Sequence, residues 1–298
     1  VIINYDLIWR ENIEKQLLAR KFQIVIFDEV THLKEKSTKR TKSAKKISRK
    51  SKFNVGLSGT PILNRPIEFF TFLNIISPKQ FPSQFKFGMR YCNGYHNGFG
   101  YVFKGSSRID ELRGLLQPLM IRRRKDEVLK ELPEKVQRDI FVDMPGSYYQ
   151  DYMAAENDLV NTLQSLNDDG PVSQEYNDNH MWLLSKLNYL RHLVGLAKAE
   201  AAEDIIQSFV EAGEKLVVFG HHHDVLDKMD DYLTKKGIIH VKVDGRTPNS
   251  ARQEQVDQFQ DNANCMVFLA STAMGMGVTL TAASNALFVE RQWTPGIE

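Results

Sequence analysis

Ile24-Val25-Ile26-Phe27-Asp28-Glu29 is an apolar, β-branched run that ends in two consecutive carboxylates. Four such residues in a row predict a strand. Open α/β sheets bind ligands outside the carboxyl ends of their strands, so the two acids stand where chemistry is expected. Adjacent carboxylates there have separable uses: one can hold Mg²⁺ through its water shell, and the next can orient a water for attack on a phosphoryl group. By itself the dipeptide also reads as a strand end beside a turn.

Further strand-like runs lie at 54–57, 216–219, 239–243, 266–269 and 286–289, and Val1-Ile2-Ile3 reads the same way. Helical patterns separate them. Val225, Leu226, Met229 and Leu233 recur at helical spacing, and Thr247-Pro248 can cap and open a helix carrying Val256 and Phe259. This alternation predicts the α/β class with parallel sheets covered by helices. From 147 to about 210 the pattern is long-period and helical, interrupted only by Asn167-Asp168-Asp169-Gly170-Pro171. The expected organisation is a first α/β unit over 1–117 with an insertion at about 77–117, and a basic connector over 118–145. A second unit follows over 146–298 with a helical insertion at about 147–210.

The 298 residues suffice for about two domains, and 42% are hydrophobic, enough for cores without disulfide staples. Lys and Arg number 39 against 37 Asp and Glu, and no apolar run approaches the ~18 residues of a membrane-spanning helix. No membrane partner is expected. Only Cys92 and Cys265 occur, which fits a reducing, intracellular compartment: the nucleus of a eukaryote, or the cytoplasm in a bacterial or viral setting. The absence of a leader before Val1 and the abrupt end after Trp293-Thr294-Pro295-Gly296 read as cuts in a longer chain.

Leu57-Ser58-Gly59-Thr60-Pro61 follows a second strand and places small hydroxyls at a neighbouring strand end, where they can sense a phosphate. An ordinary turn is the plainer reading. Between 34 and 52 stand ten Lys and Arg, including Lys34, Lys36 and Arg40, against the single acid Glu35. Such a field can contact nucleic-acid phosphates or merely form a solvated helix face. Arg122, Arg123, Arg124 and Lys125 invite the same reading, or can pin two lobes through carboxylates. Tyr91, Tyr95, Phe99, Tyr101 and Phe103 alternate with glycines, which suits a ribbon that stacks on bases or an aromatic loop packed on the surface. Cys92 and His96 lack a second ligand pair, and three successive histidines, His221-His222-His223, diverge too much to share one ion, so zinc is not expected. Gly275 and Gly277 let backbone approach a phosphate closely or simply make a turn.

Taken together, Asp28-Glu29, then Leu57-Ser58-Gly59-Thr60-Pro61 with Asn64 and Glu68, resemble motifs II and III of Snf2-type helicase-like ATPases. The segment Arg122 to Val128 with Leu132-Pro133-Glu134-Lys135 is similar to that family's basic segment between two RecA-like lobes. The runs at 216–219 with His221, Asp244-Gly245-Arg246-Thr247 with Arg252 and Phe259, and 271–283 resemble its later motifs. The stretch 87–94, with Gly105-Ser106-Ser107 and Glu111-Leu112, is similar to the annealing helicases of the HepA-related branch.

The resemblance implies two RecA-like lobes, ATP and Mg²⁺ as cofactors, and duplex or branched DNA as partner. It implies that Asp28 holds Mg²⁺ and Glu29 positions the attacking water. Ser58, Gly59 and Thr60 would couple nucleotide state to lobe closure, and Gly275 and Gly277 would line the nucleotide and lobe interface. Lys34, Lys36, Arg40, His221, Arg252 and Thr272 would lie on the nucleic acid, with Arg122, Arg123 and Lys125 between the lobes.

Departures exist: Thr31 stands where the family has His or Gln, Ser284 where Asp is common, and Thr294 where Asn precedes Pro. None of the 18 glycines is followed by lysine, so no G-x-x-x-x-G-K-[ST] loop is present, and the arginine-bearing motif VI is absent. Removal of both ends explains this better than decay, because Asp28 and Glu29 are intact, and the piece alone is expected to hydrolyse little ATP. The alternatives are a non-hydrolysing DNA-binding or scaffold module, or another superfamily 2 helicase.

Overall fold

The structure, a computed structural model, describes residues 1–59, 65–131, 133–168, 175–272 and 278–291, without the side chains of 125, 126 and 165–181. The chain divides into two compact units, Val1–Lys135 and Val136–Glu298. The division falls within the stretch read as a connector.

The first unit runs α1 (Glu11–Ala19), β1 (Ile24–Phe27), a 3-10 turn (Val30–Leu33), α2 (Lys39–Ser48) and β2 (Phe53–Gly56). β1 and β2 pair in parallel, with Ile24 opposite Phe53 and Phe27 opposite Gly56. A parallel pair needs a crossover, which α2 supplies. The Thr38 side chain caps α2 by accepting from Thr41 N, and the helix buries only small or aliphatic groups, Thr41, Ser43, Ala44, Ile47 and Ser48. Lys39, Lys42 and Lys46 are thereby turned outward.

α3 (Pro66–Ile76) starts on a proline and is apolar almost all round, so it becomes the central helix, burying Phe69, Phe70, Phe72, Leu73 and Ile75. There follow α4 (Gln84–Tyr91), an antiparallel hairpin of β3 (Tyr95–His96) and β4 (Tyr101–Val102), α5 (Ile109–Leu116) and the short α6 (Lys125–Val128). Cys92 lies wholly inside this core, and burial pushes its thiol up to about 11.

In the second unit α7 (Gly146–Asp168) and α8 (Glu175–Glu211) form the expected helical stretch. Then come β5 (Leu216–Gly220), α9 (His223–Lys235), β6 (His240–Val243), α10 (Asn249–Asp261), β7 (Val267–Ser271) and β8 (Asn285–Phe288). The four strands make one parallel sheet in the order β6-β7-β5-β8. The inner strands β5 and β7 are covered on both faces and so are near-continuous apolar runs, while the edge strands β6 and β8 alternate in burial. Cys265 is buried beside β7, and that burial raises its thiol pKa.

The α/β class with parallel sheets and helical insertions is therefore what the structure shows. One strand expectation fails: residues 1–3 form no strand. Val1 and Ile2 are almost fully exposed, and β-branched propensity without a pairing partner does not make a strand. No helix among the described residues is long and apolar enough to cross a membrane.

The division also separates charge. The first unit holds 27 Lys and Arg against 13 Asp and Glu, net +14, and the second holds 12 against 24, net −12.

Candidate functional site

The β1–β2 pair sets the register of the first unit's site. Leu57 N donates to Phe27 O at 2.8 Å, and Val30 N donates to Leu57 O at 3.0 Å. The parallel ladder thus continues one step past the strands and lays Asp28-Glu29 beside Leu57-Ser58. Both carboxylates are exposed, as a group that is to meet a ligand requires. Glu29 adopts the left-handed conformation, φ 44 and ψ 58, and caps the 3-10 turn. This conformation is costly for a non-glycine residue, and the turn is held because Val30 and Leu33 are buried behind it. Glu29 N donates to Asp28 Oδ1 at 3.0 Å, which fixes the aspartate on its own turn.

Tyr5, which the motif reading placed at the start of the motif block at Asn4-Tyr5-Asp6 without giving it a role, completes the turn. The Tyr5 hydroxyl donates to Asp28 O at 2.7 Å, and its ring lies 5.7 Å from that of His32. Burial, together with the nearby Asp28 and Glu29, pushes its phenol up to about 12, so Tyr5 remains a donor throughout the neutral range. Nothing in its local sequence signals this; the contact spans 23 positions.

Ser58 is half-buried next to the acids, and a Cβ at Gly59 would meet no heavy atom of the described residues within 4 Å, so among them open space adjoins the turn. Thr60 lies outside the described residues, as do Gly275 and Gly277. An exposed carboxylate facing open space suits Mg²⁺, which keeps several waters and binds through one or two carboxylates with substrate phosphates. Asp28 fits that requirement. Among the described residues no group of three or more His, Cys, Asp or Glu converges as a metal cage.

The basic segment is more committed than its composition suggests. Lys46 pairs with Glu14 at 3.0 Å, Lys50 Nζ donates to Leu18 O, Lys39 lies 4.8 Å over the Trp9 ring, and Arg40 reaches Asp6 at 3.8 Å. Lys34 and Lys36 are exposed just before α2. Lys45 is held below the usual lysine range by burial, then by Arg49 and Lys36. Arg122 and Arg123 are exposed on a segment without regular structure, and Lys125 opens α6.

In the second unit β8 runs parallel to β5 and carries Glu290 to the start of α9, a placement the motif reading missed. The carboxylate is buried, accepts from His221 N at 2.6 Å and His222 N at 2.9 Å, and meets His222 Nδ1 at 2.5 Å. It satisfies amides that the helix itself leaves open. Gly195 makes room: a Cβ there would lie 2.6 Å from Glu290 Oε1. His192 pairs with Asp224 and its ring lies 4.8 Å from that of His222. His221 is fixed by its backbone, its ring meets that of His222 edge-on at 4.9 Å, and partial burial, then His222, lowers its pKa. Arg252 Nε donates to Thr247 O, bracing the Asp244–Thr247 turn, and Thr272 is buried at the end of β7. The structure thus groups Asp28, Glu29 and Ser58 in one unit, and His221, Arg252 and Thr272 all sit in the other.

Comparison with known proteins gives two family matches: the SNF2-related domain over residues 1–193 and the helicase conserved C-terminal domain over 197–298. The Xenopus tropicalis SWI/SNF-related matrix-associated actin-dependent regulator of chromatin subfamily A-like protein 1 is 33% identical over 99% of this chain and 30% of its own length. The mouse DNA annealing helicase and endonuclease ZRANB3 is 30% identical over 96% of this chain and 26% of its own length. The chain therefore spans about a third of the length of such relatives. A solved Sulfolobus solfataricus SWI2/SNF2 ATPase core domain matches with a TM-score of 0.48 at 21% identity, covering 98% of this chain and 61% of that one. With family matches running through both units in the expected order, the chain belongs to the Snf2 family of helicase-like ATPases.

Proposed function

We propose that this chain is part of the ATPase core of a DNA translocase of the annealing-helicase kind, which in its complete form acts on duplex or branched DNA with ATP and Mg²⁺. The observation that carries the reading is the turn at the end of β1, where Glu29 is held left-handed and Asp28 is pinned beside Ser58. A strained conformation kept in place by buried neighbours is what a preorganised site needs. Asp28 would hold Mg²⁺, which when bound neutralises charge on the transferring phosphoryl group. Glu29 would orient a water and accept its proton, and Ser58 would register the phosphate through a hydrogen bond.

Lys34 and Lys36, with Arg40, would meet the DNA backbone, and the net charge of the first unit supports that assignment. Arg122, Arg123 and Lys125 would extend the basic track. In the second unit His221, Arg252 and Thr272 are proposed to border the same DNA, with Gly275 and Gly277 beside the nucleotide. The two buried free cysteines support an intracellular setting.

In the full-length protein Glu29→Gln should reduce DNA-stimulated ATP hydrolysis by roughly 10²- to 10⁴-fold while leaving DNA affinity nearly intact. A phosphate-release assay paired with a DNA-binding titration measures both. Turnover equal to the wild type would refute the role given to Glu29.

A further inference from the structure

Between Ser77 and Arg108 the chain carries five basic residues, no acidic residue and eight aromatic ones besides His96. The structure divides the aromatics by task. Phe81, Phe87 and Tyr91 are buried, and the partly buried Phe103 covers Gly88 so closely that a Cβ there would lie 2.5 Å from its ring. Phe85, Tyr95, Phe99 and Tyr101 remain exposed, Phe99 by 92%. One half of the segment anchors, and the other half is presented.

The presentation is rigidly built. At the base, Gly105 N donates to Cys92 O at 3.1 Å, Ser107 N to Tyr91 O at 2.9 Å and Ser107 Oγ to Arg90 O at 2.8 Å. At the tip, Asn97 Oδ1 accepts from Phe99 N and Gly100 N, Asn97 N donates to Gly100 O, and Gly98 takes φ +94. Tyr101 is held upright by edge-to-face contacts with Phe85 at 4.7 Å and His96 at 5.0 Å. Phe99 thus stands alone at the end of a hairpin fixed at both ends. Arg90 and Arg108 are engaged by Glu111, whereas Lys86 and Lys104 are exposed and, among the described residues, form no ion pair.

Four rings, of which only Phe99 is more than about half exposed, offer less than the ~800 Å² per partner that a standard protein interface buries. A projecting ring in a segment that also carries exposed Lys86 and Lys104 and no acid fits a π-face that carries its own anion, which is an unpaired nucleotide. From this geometry we infer that the 95–102 hairpin is a base-stacking pin. Phe99 stacks on an unpaired base of single-stranded or junction DNA, Tyr95 and Tyr101 flank it, and Lys86 and Lys104 take the adjoining phosphates. The inference rests on the DNA-binding reading above and narrows its substrate to DNA with unpaired bases.

Fluorescence anisotropy of the 298-residue chain with a blunt duplex, and with a fork of equal length bearing unpaired thymidine arms, tests this. Phe99→Ala should weaken fork binding by about 5- to 100-fold and change duplex binding by no more than about twofold. Phe99→Trp should restore fork binding, with its added fluorescence quenched by oligothymidylate. Equal fork affinity for wild type and Phe99→Ala, or an equal loss on both probes, overturns the pin while duplex binding keeps the DNA reading intact. Failure of the wild type to bind either probe at low salt overturns both.

Discussion

Glu29 concentrates the tension between stability and function at a single residue. Its φ of 44 is the kind of backbone that an L side chain enters at a cost, and glycine does not share that cost. At ordinary positions Gly is the less stable choice, because it frees the unfolded chain; here the order should reverse. Glu29→Gly is expected to be more stable than Glu29→Ala by about 1 kcal/mol in urea melts, with both variants inactive in hydrolysis. If Ala matched or exceeded Gly, the left-handed turn would not be the conformation in solution. Asp28 and Glu29 were legible as a pair because a strand followed by two acids is a local pattern. Tyr5 and Glu290 were not, since each acquires its place only through pairing between distant segments.

At the scale of elements, the edge of the second unit's sheet is tied to α9 by charge. Arg246 bridges Asp227 at 2.6 Å and the buried Asp244 at 2.5 Å, and Lys242 on β6 reaches Asp227 at 3.0 Å and also pairs with Asp230. His240 closes the set against Asp230 at 2.7 Å. Arg246 holds Asp227 and Asp244 below the usual carboxylate range; for Asp230 burial works the other way, and Lys242 and His240 outweigh it. Carboxylates with depressed values contribute stability that is present above their unfolded pKa and is lost as pH falls through the folded one. Arg246→Leu should therefore destabilise the second unit at neutral pH, and its deficit in urea melts should shrink between about pH 5 and pH 3. A deficit independent of pH would assign Arg246 a packing role instead. The inner strands β5 and β7 were readable as apolar runs because both faces are buried. The aromatic stretch around the 95–102 hairpin was left open between stacking ribbon and packed loop; Tyr91 is buried, while Tyr95, Phe99 and Tyr101 are exposed.

Across the whole molecule the net charge of +2 conceals the opposition of a basic first unit and an acidic second one. Composition averaged that contrast away, and only the division of the chain restores it. The order of motifs was legible, since each is a short local string and several stand at the end of a predicted strand. The internal pairing of α2's cations was not, because Glu14, Asp6 and Trp9 lie on a different stretch of chain. A protein of two compact units need not unfold in a single step, and one melting curve would blur the two events. The thiols offer a remedy. Cys92 belongs to the first unit and Cys265 to the second, both are buried, and both have pKa values raised by that burial. Native protein at about pH 8 should accept no iodoacetamide, and labelling at rising urea should proceed at each site only as its own unit opens. Mass spectrometry of the two cysteine peptides then yields two separate unfolding curves from one sample, with no engineered probe, and labelling of either site without denaturant would contradict its burial.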